Sequence, residues 1–168
     1  MVRRTHAPPH TAMDTEALLR RSIEVAVENV RLARGGPFGA VIARDGSIVA
    51  EGMNLVTSSL DPTAHAEVVA IRHACQALSR FDLRGCEVFA SCEPCPMCLA
   101  ACYWARVDRI WFAATKHDAA AAGFDDSLLY EEIPRAITER RIPTAQLLGD
   151  EGQAPFREWR RSPQRVDY

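Results

Sequence analysis

The chain has 168 residues, 48% hydrophobic and 25% charged, with 20 Lys+Arg against 22 Asp+Glu for a net charge of -2. That length suits one domain with a buried core, and the near-neutral balance argues against a broad nucleic-acid footprint. No apolar run approaches the roughly 18 residues of a membrane span, and the first 13 residues lack the apolar centre of a secretory signal, so the cytoplasm is the expected compartment.

Residues 1–13, with His6, His10, Pro8 and Pro9, read as a flexible arm. Asp14 or Thr15 caps a helix with Glu16 in its first turn. Leu18, Leu19, Ile23, Ala26, Val27, Val30 and Ala33 follow helical spacing, and Gly35-Gly36-Pro37 stops it. Residues 38–44 and 47–51 read as a strand pair joined by the Asp45-Gly46 turn. Gly39 marks a close approach of backbone or ligand. A loop over 52–62 carries Asn54. A helix follows from residue 63 or 64 to 78, then a strand over 86–91. Pro94 and Pro96 bracket the start of a helix over about 95–105, and 109–114 reads as a buried strand. The helix-strand-helix-strand alternation predicts an α/β sandwich with parallel strand pairs. Beyond it lie a helix over 127–133, another over 134–140, a short edge strand over 144–148, and a helical tail containing Phe156 and Trp159.

The chemistry concentrates in two short stretches. One is Thr63-Ala64-His65-Ala66-Glu67. The other is Cys92-Glu93-Pro94-Cys95-Pro96-Met97-Cys98. An imidazole and two thiolates form a donor set suited to zinc. Cys95 and Cys98 stand three apart on the first turn of a helix, whose N-terminus favours the thiolates. His65 also falls at a helix start, so two helix N-termini can converge on one ion. Three protein ligands would leave the fourth position for water, whose pKa zinc lowers from about 15.7 to roughly 7. Glu67 is placed to move the proton. Two other readings stay open: Cys92 or Cys102 closes the coordination and makes the site structural, and Glu67 is an ordinary first-turn acid. Cys75 and Cys86 complete the six cysteines, which in a chain of this size and compartment do not suggest a disulfide framework.

The pattern His-x-Glu followed by Pro-Cys-x-x-Cys is the signature of the zinc deaminases. The sequence closely resembles bacterial guanine deaminases of the cytidine-deaminase-like superfamily over residues 14–168. More specific than the signature are Gly36-Pro37-Phe38-Gly39-Ala40-Val41, Asp61-Pro62-Thr63, Tyr103-Trp104-Ala105-Arg106, Ala122-Gly123-Phe124-Asp125-Asp126-Ser127 and the closing stretch from Pro155-Phe156 to Tyr168. The resemblance implies a three-layer α/β/α sandwich around a mixed five-stranded sheet. It implies an arm over 1–13, a zinc deaminase domain over 14–150 and a C-terminal segment over 151–168 swapped onto a homodimeric partner. It implies one zinc on His65, Cys95 and Cys98, with Glu67 as proton shuttle. It further implies a purine held by Phe38, Asn54, Ala66, Trp104, Asp126 and the partner's Tyr168, with Asp126 sharing proton transfer.

These roles agree with the chemistry of the residues. Guanine offers donors and acceptors, which suit the Asn54 amide and the Asp126 carboxylate, and Phe38 offers a flat face. Plainer roles exist beside them: Asn54 as a turn residue, Phe38 as core, and Asp125 or Asp126 as a cap for Ser127. The function so implied is hydrolysis of guanine to xanthine and ammonia. The alternatives are a related amino-heterocycle (ammeline or another aminotriazine, guanosine, cytosine) or a tRNA adenosine. The last needs a positive surface, and the stretch from Glu151 onward carries four Arg against three acids.

Overall fold

A computed structural model of the protein describes residues 12–168. These fall into two compact units, one ending at Asp125 and one running from Asp126 to Tyr168. Most of the expected N-terminal arm, with His6 and His10, lies outside the described residues.

The first unit opens with α1 (Thr15–Arg31), capped by Asp14, whose carboxylate accepts from the Ala17 N–H at 2.7 Å. The buried side of α1 is Leu18, Ser22, Val25, Ala26 and Asn29. This corrects the apolar stripe expected from spacing: Ile23, Val27 and Val30 are exposed, and two polar side chains lie inside. Strands β1 (Gly39–Arg44) and β2 (Ser47–Met53) form a hairpin. Asp45 and Gly46 have φ of 50° and 72°, the paired positive values of the tight turn that matches strand twist. The Met13 N–H donates to the Gly46 carbonyl at 2.8 Å and ties the chain's approach to this turn. A Cβ on Gly39 would stand 2.4 Å from the Ser22 carbonyl oxygen. The close approach expected there is therefore to the backbone of α1.

A single turn, α2 (Val56–Ser59), interrupts the expected 52–62 loop. Then come α3 (Ala66–Leu78), β3 (Glu87–Cys92), α4 (Pro96–Ala105), β4 (Arg109–Ala114) and α5 (Lys116–Ala121). The sheet order is β2-β1-β3-β4. β1 pairs antiparallel with β2 and β3, while β3 and β4 run parallel.

The strands sort their side chains with period two. Ala40, Ile42 and Val88 join Ala66, Ala70, Ala74, Cys102 and Ala105 in one cluster, on the side of α3 and α4. Val41, Ala43 and Phe89 join Leu18 of α1 in the other. This is the expected three-layer sandwich.

Four expectations are corrected. The sheet of the described residues has four strands where five were expected. The stretch 144–148 is not a strand: Leu147 is 84% exposed and Leu148 has a left-handed φ of 54°, neither of which suits a pleated pair. Only one strand pair is parallel, because β1, the hairpin partner of β2, lies between β2 and β3 and runs antiparallel to both. Finally, β4 is an edge strand rather than a buried one, with Phe112 45% exposed.

The second unit contains α6 (Ser127–Glu132), 3-10 turns at Ile137–Glu139 and Glu151–Gln153, and α7 (Ala154–Arg161). The helix expected over 134–140 is only the first of those turns. No residue of this unit is buried. No helix among the described residues is long and apolar enough to cross a membrane.

Candidate active site

Two helix starts define the site. His65 is the residue before α3 and Cys95 the residue before α4, each with extended backbone (ψ 156° and 166°) and neither side chain capping its own helix. Their side chains are turned to one another. The approach to His65 is fixed by Asp61, whose carboxylate accepts from the Thr63 hydroxyl at 2.6 Å and the Thr63 N–H at 2.8 Å. Those bonds hold the Asp61 acid below its usual range.

His65 Nδ1 stands 3.6 Å from Cys95 Sγ and 3.4 Å from Cys98 Sγ. The three donor atoms lie within 4.8 Å of one another. Zinc at about 2.3 Å from sulfur and about 2.0 Å from nitrogen, with tetrahedral angles, sets neighbouring N and S donors about 3.5 Å apart. The contacts therefore have the lengths of the edges of a coordination tetrahedron. The Cys95 thiol is held down to about 4 by the Cys98 thiol donating to it, against the effect of burial and with help from His65. It is a thiolate at neutral pH, as a metal requires.

Glu67, in the first turn of α3, is buried. Burial pushes its carboxyl above the ordinary range, and hydrogen bonds from its own backbone and from Cys98 partly offset that. An exposed first-turn acid would need no such environment. Cys92 and Cys102 stand outside the ligand triangle. The Cys92 thiol donates to the Thr115 carbonyl at 3.4 Å, and burial raises its pKa. Burial also pushes Cys102 up to about 12. Neither thiol joins the group of donors that could share one ion, which leaves three protein ligands among the described residues.

Beside this floor is a cradle built around Asn54, also buried. Its Oδ1 accepts from the backbone N–H of Gly36 at 3.2 Å and of Val56 at 3.3 Å. The amide oxygen is thereby committed, and the NH2 remains as the donor for a ligand. The cradle is tight: a Cβ on Gly35 would lie 2.1 Å from the Asn54 carbonyl oxygen. Phe38 is half-buried, packed against the α3-side cluster and edge-on to Phe124 at 5.0 Å. It also lines a mostly apolar cleft of about 500 Å³ together with Ile23, Val27, Val30 and Phe124. That cleft includes none of the three ligands, so its size does not make it the reaction site.

Residues 13–114 match the model of the cytidine and deoxycytidylate deaminase zinc-binding region. The chain belongs to this zinc deaminase family. A guanine deaminase from Bacillus subtilis is 51% identical over 156 residues, covering 93% of this chain and 100% of the relative. An X-ray structure of guanine deaminase from Bacillus subtilis superposes with a TM-score of 0.91 at 51% identity, over 93% of this chain and 99% of that one. A tRNA-specific adenosine deaminase from Aquifex aeolicus is 40% identical over 91 residues, covering 53% of this chain and 60% of the relative. The deaminase is thus a zinc enzyme.

The structure brings His65, Glu67, Cys95 and Cys98 together in the first unit, with Asn54 and Phe38 in the same unit. Ala66 sits between two of these, but its side chain belongs to the apolar core, so only its backbone N–H is suited to touch a ligand. Trp104 projects from α4 at 66% exposure. Asp126 and Tyr168 belong to the second unit, which the structure describes separately. Asp126 occupies the cap position of α6 without a side-chain capping bond. The Tyr168 ring packs edge-on to Trp159 at 6.4 Å.

Sequence reasoning missed Asn29. It is fully buried on α1, and its Nδ2 donates to the carbonyls of Gly36 at 2.8 Å and Asn54 at 2.7 Å. The available signal was its place in the series Leu18, Ser22, Val25, Asn29, a helical face that the more apolar neighbouring stripe obscured.

Proposed function

We propose that this zinc deaminase hydrolyses guanine to xanthine, with water consumed and ammonia released. Zinc on His65, Cys95 and Cys98 supplies, when bound, an activated water at neutral pH. Glu67 takes a proton from the attacking water and delivers it to the ring nitrogen beside the carbon attacked. It then takes the remaining proton of the added water from the new hydroxyl and passes it to the leaving amine, which departs as ammonia. A buried carboxyl with a raised pKa is suited to both accepting and donating. The Asn54 NH2 donates to an acceptor on the purine edge, and Phe38 gives the ring a flat neighbour. The Ala66 N–H, at the start of α3, is a second donor to developing negative charge.

We propose further that the enzyme is a homodimer in which the second unit of each chain serves its partner. Asp126 then binds the substrate and shares proton transfer to the amine, while Tyr168 and Trp104 line the pocket. What supports this is the state of that unit. A segment of this size without one buried residue, exposing Ile142, Leu147, Leu148 and Phe156, cannot hold itself folded by its own core. Cytoplasmic purine breakdown is the setting that fits such an activity.

One observation carries the choice of substrate. The similarity to a guanine deaminase spans 156 of the chain's 168 residues and so runs into the second unit. The match to a tRNA-specific adenosine deaminase spans only 91. Ammonia release from guanine, guanosine, adenine, cytosine and ammeline tests the proposal. Guanine is expected to dominate. No turnover of guanine, together with salt-sensitive binding of tRNA, would replace it with nucleic-acid editing.

A further inference from the structure

We propose that Asn29 is a positioning residue for the amide of Asn54. The inference rests on the reading of Asn54 as a substrate contact and asks what aims that amide.

Asn29 is an unusual choice for its place. It lies in the last turn of α1, wholly buried, where helix propensity and burial both favour an apolar side chain. Its Oδ1 is buried without a partner, a cost that an apolar residue would not carry. What the asparagine gains is a single NH2 group between two backbone carbonyls, those of Gly36 and Asn54. Those carbonyls come from segments 18 residues apart in the chain.

The geometry then closes on Asn54. Gly36 is held at both ends: its carbonyl by Asn29 Nδ2 at 2.8 Å, and its N–H by Asn54 Oδ1 at 3.2 Å. Asn54 is held at its carbonyl by Asn29 at 2.7 Å, and its N–H donates to the Phe38 carbonyl at 3.1 Å. One amide thus fixes the backbone on both sides of the second amide. Without the Asn29 NH2, the Gly36 carbonyl would keep the Phe38 N–H at 2.8 Å, and the Asn54 carbonyl would face it without a donor. One would have to turn away. The Asn54 carbonyl is the one without a second donor, and turning it moves the backbone of Asn54 itself and with it the side chain whose Oδ1 the Gly36 N–H holds. Asn29 therefore reaches the substrate only through Asn54.

The test is a double-mutant cycle on the zinc-loaded full chain, with guanine as substrate. Wild type, Asn29→Leu, Asn54→Ala and the double variant are compared for kcat, KM and thermal unfolding. Leucine keeps the volume and removes both donors. Asn29→Leu should lower kcat/KM by about tenfold or more, the scale of misaiming a buried hydrogen bond. In the Asn54→Ala background the same change should do almost nothing, because the amide it aims is gone. Unfolding should stay cooperative, and zinc content should stay at one per chain.

Losses that multiply in the double variant would overturn the proposal, since Asn29 would then act by another route. A damaging Asn54→Ala beside a silent Asn29→Leu would overturn it alone. A silent Asn54→Ala would remove the reading of Asn54, and the proposal with it. The milder Asn29→Ser guards against misfolding: if both Asn29 variants fail to fold, the residue holds up α1 rather than aiming an amide.

Discussion

The two units of the chain solve opposite problems. The first buries its sheet on both faces and starts its helices α3 and α4 at one place, so that His65, Cys95 and Cys98 meet with the spacing a zinc tetrahedron needs. The second has helices but no interior: no residue from Asp126 onward is buried, and α7 carries Phe156 and Trp159 exposed beside three arginines. Rigid scaffolds place catalytic atoms, whereas a surface that lacks a core gains order from what it binds. The contrast fits the proposal above, in which the first unit holds the metal and moves the proton and the second encloses substrate on a partner.

The sharpest break of that contrast is at Glu67. Glu67→Gln should retain one zinc per chain by elemental analysis and lose turnover by about a hundredfold to ten-thousandfold, the range of general acid–base catalysis. Substantial remaining ammonia release would move proton transfer elsewhere. Next comes removal of the last residues through Tyr168. Catalysis should fall by about tenfold or more, in line with loss of enclosure around the substrate, while zinc content and the unfolding of the first unit persist. Intact guanine turnover in the truncated chain would end the claim that the second unit serves the site.

Gly35→Ala sharpens the picture within the first unit. A Cβ would lie 2.1 Å from the Asn54 carbonyl oxygen, against backbone that has no flexible side chain to yield. The cradle must shift, and guanine KM should rise by about tenfold with little change in zinc content, because displacement of a binding group weakens substrate more than metal. The smallest effect belongs to Cys102→Ala. It should leave zinc stoichiometry and kcat unchanged and lower stability by about 1 kcal/mol, the scale of a small buried cavity. Loss of zinc in that variant would restore the fourth-ligand reading.

Much of the site was legible in the sequence because its ligands come from local spacing. Cys95 and Cys98 share one helical turn, and His65 and Glu67 bracket another helix start; the one long-range contact, His65 meeting the two thiols, was suggested by their donor chemistry. The Asp45-Gly46 turn was likewise legible locally. Failures arose where tertiary context decides. The face that α1 buries is chosen by the sheet beneath it, which admits Ser22 and Asn29 and leaves Val27 and Val30 outside. Whether 109–114 is central or at an edge depends on a neighbour that the strand itself does not encode, as does the fate of 144–148. For Asn54 the sequence offered a purine contact through the resemblance, with a turn residue as the alternative; that its oxygen is bound to Gly36 and Val56 depends on how three separate segments meet.

Subunit complementation tests the division of labour most directly. Chains carrying Glu67→Gln are inactive through their first unit, and chains carrying Asp126→Ala through their second. If each site combines the first unit of one chain with the second unit of its partner, a hybrid dimer holds one wholly intact site. Co-expressing the two inactive chains should then restore ammonia release from guanine to about a quarter of wild type, since random pairing makes half the dimers hybrid with one good site of two. If each site is built within a single chain, every site in the mixture carries one lesion, and the activity should stay at the level of the separate variants.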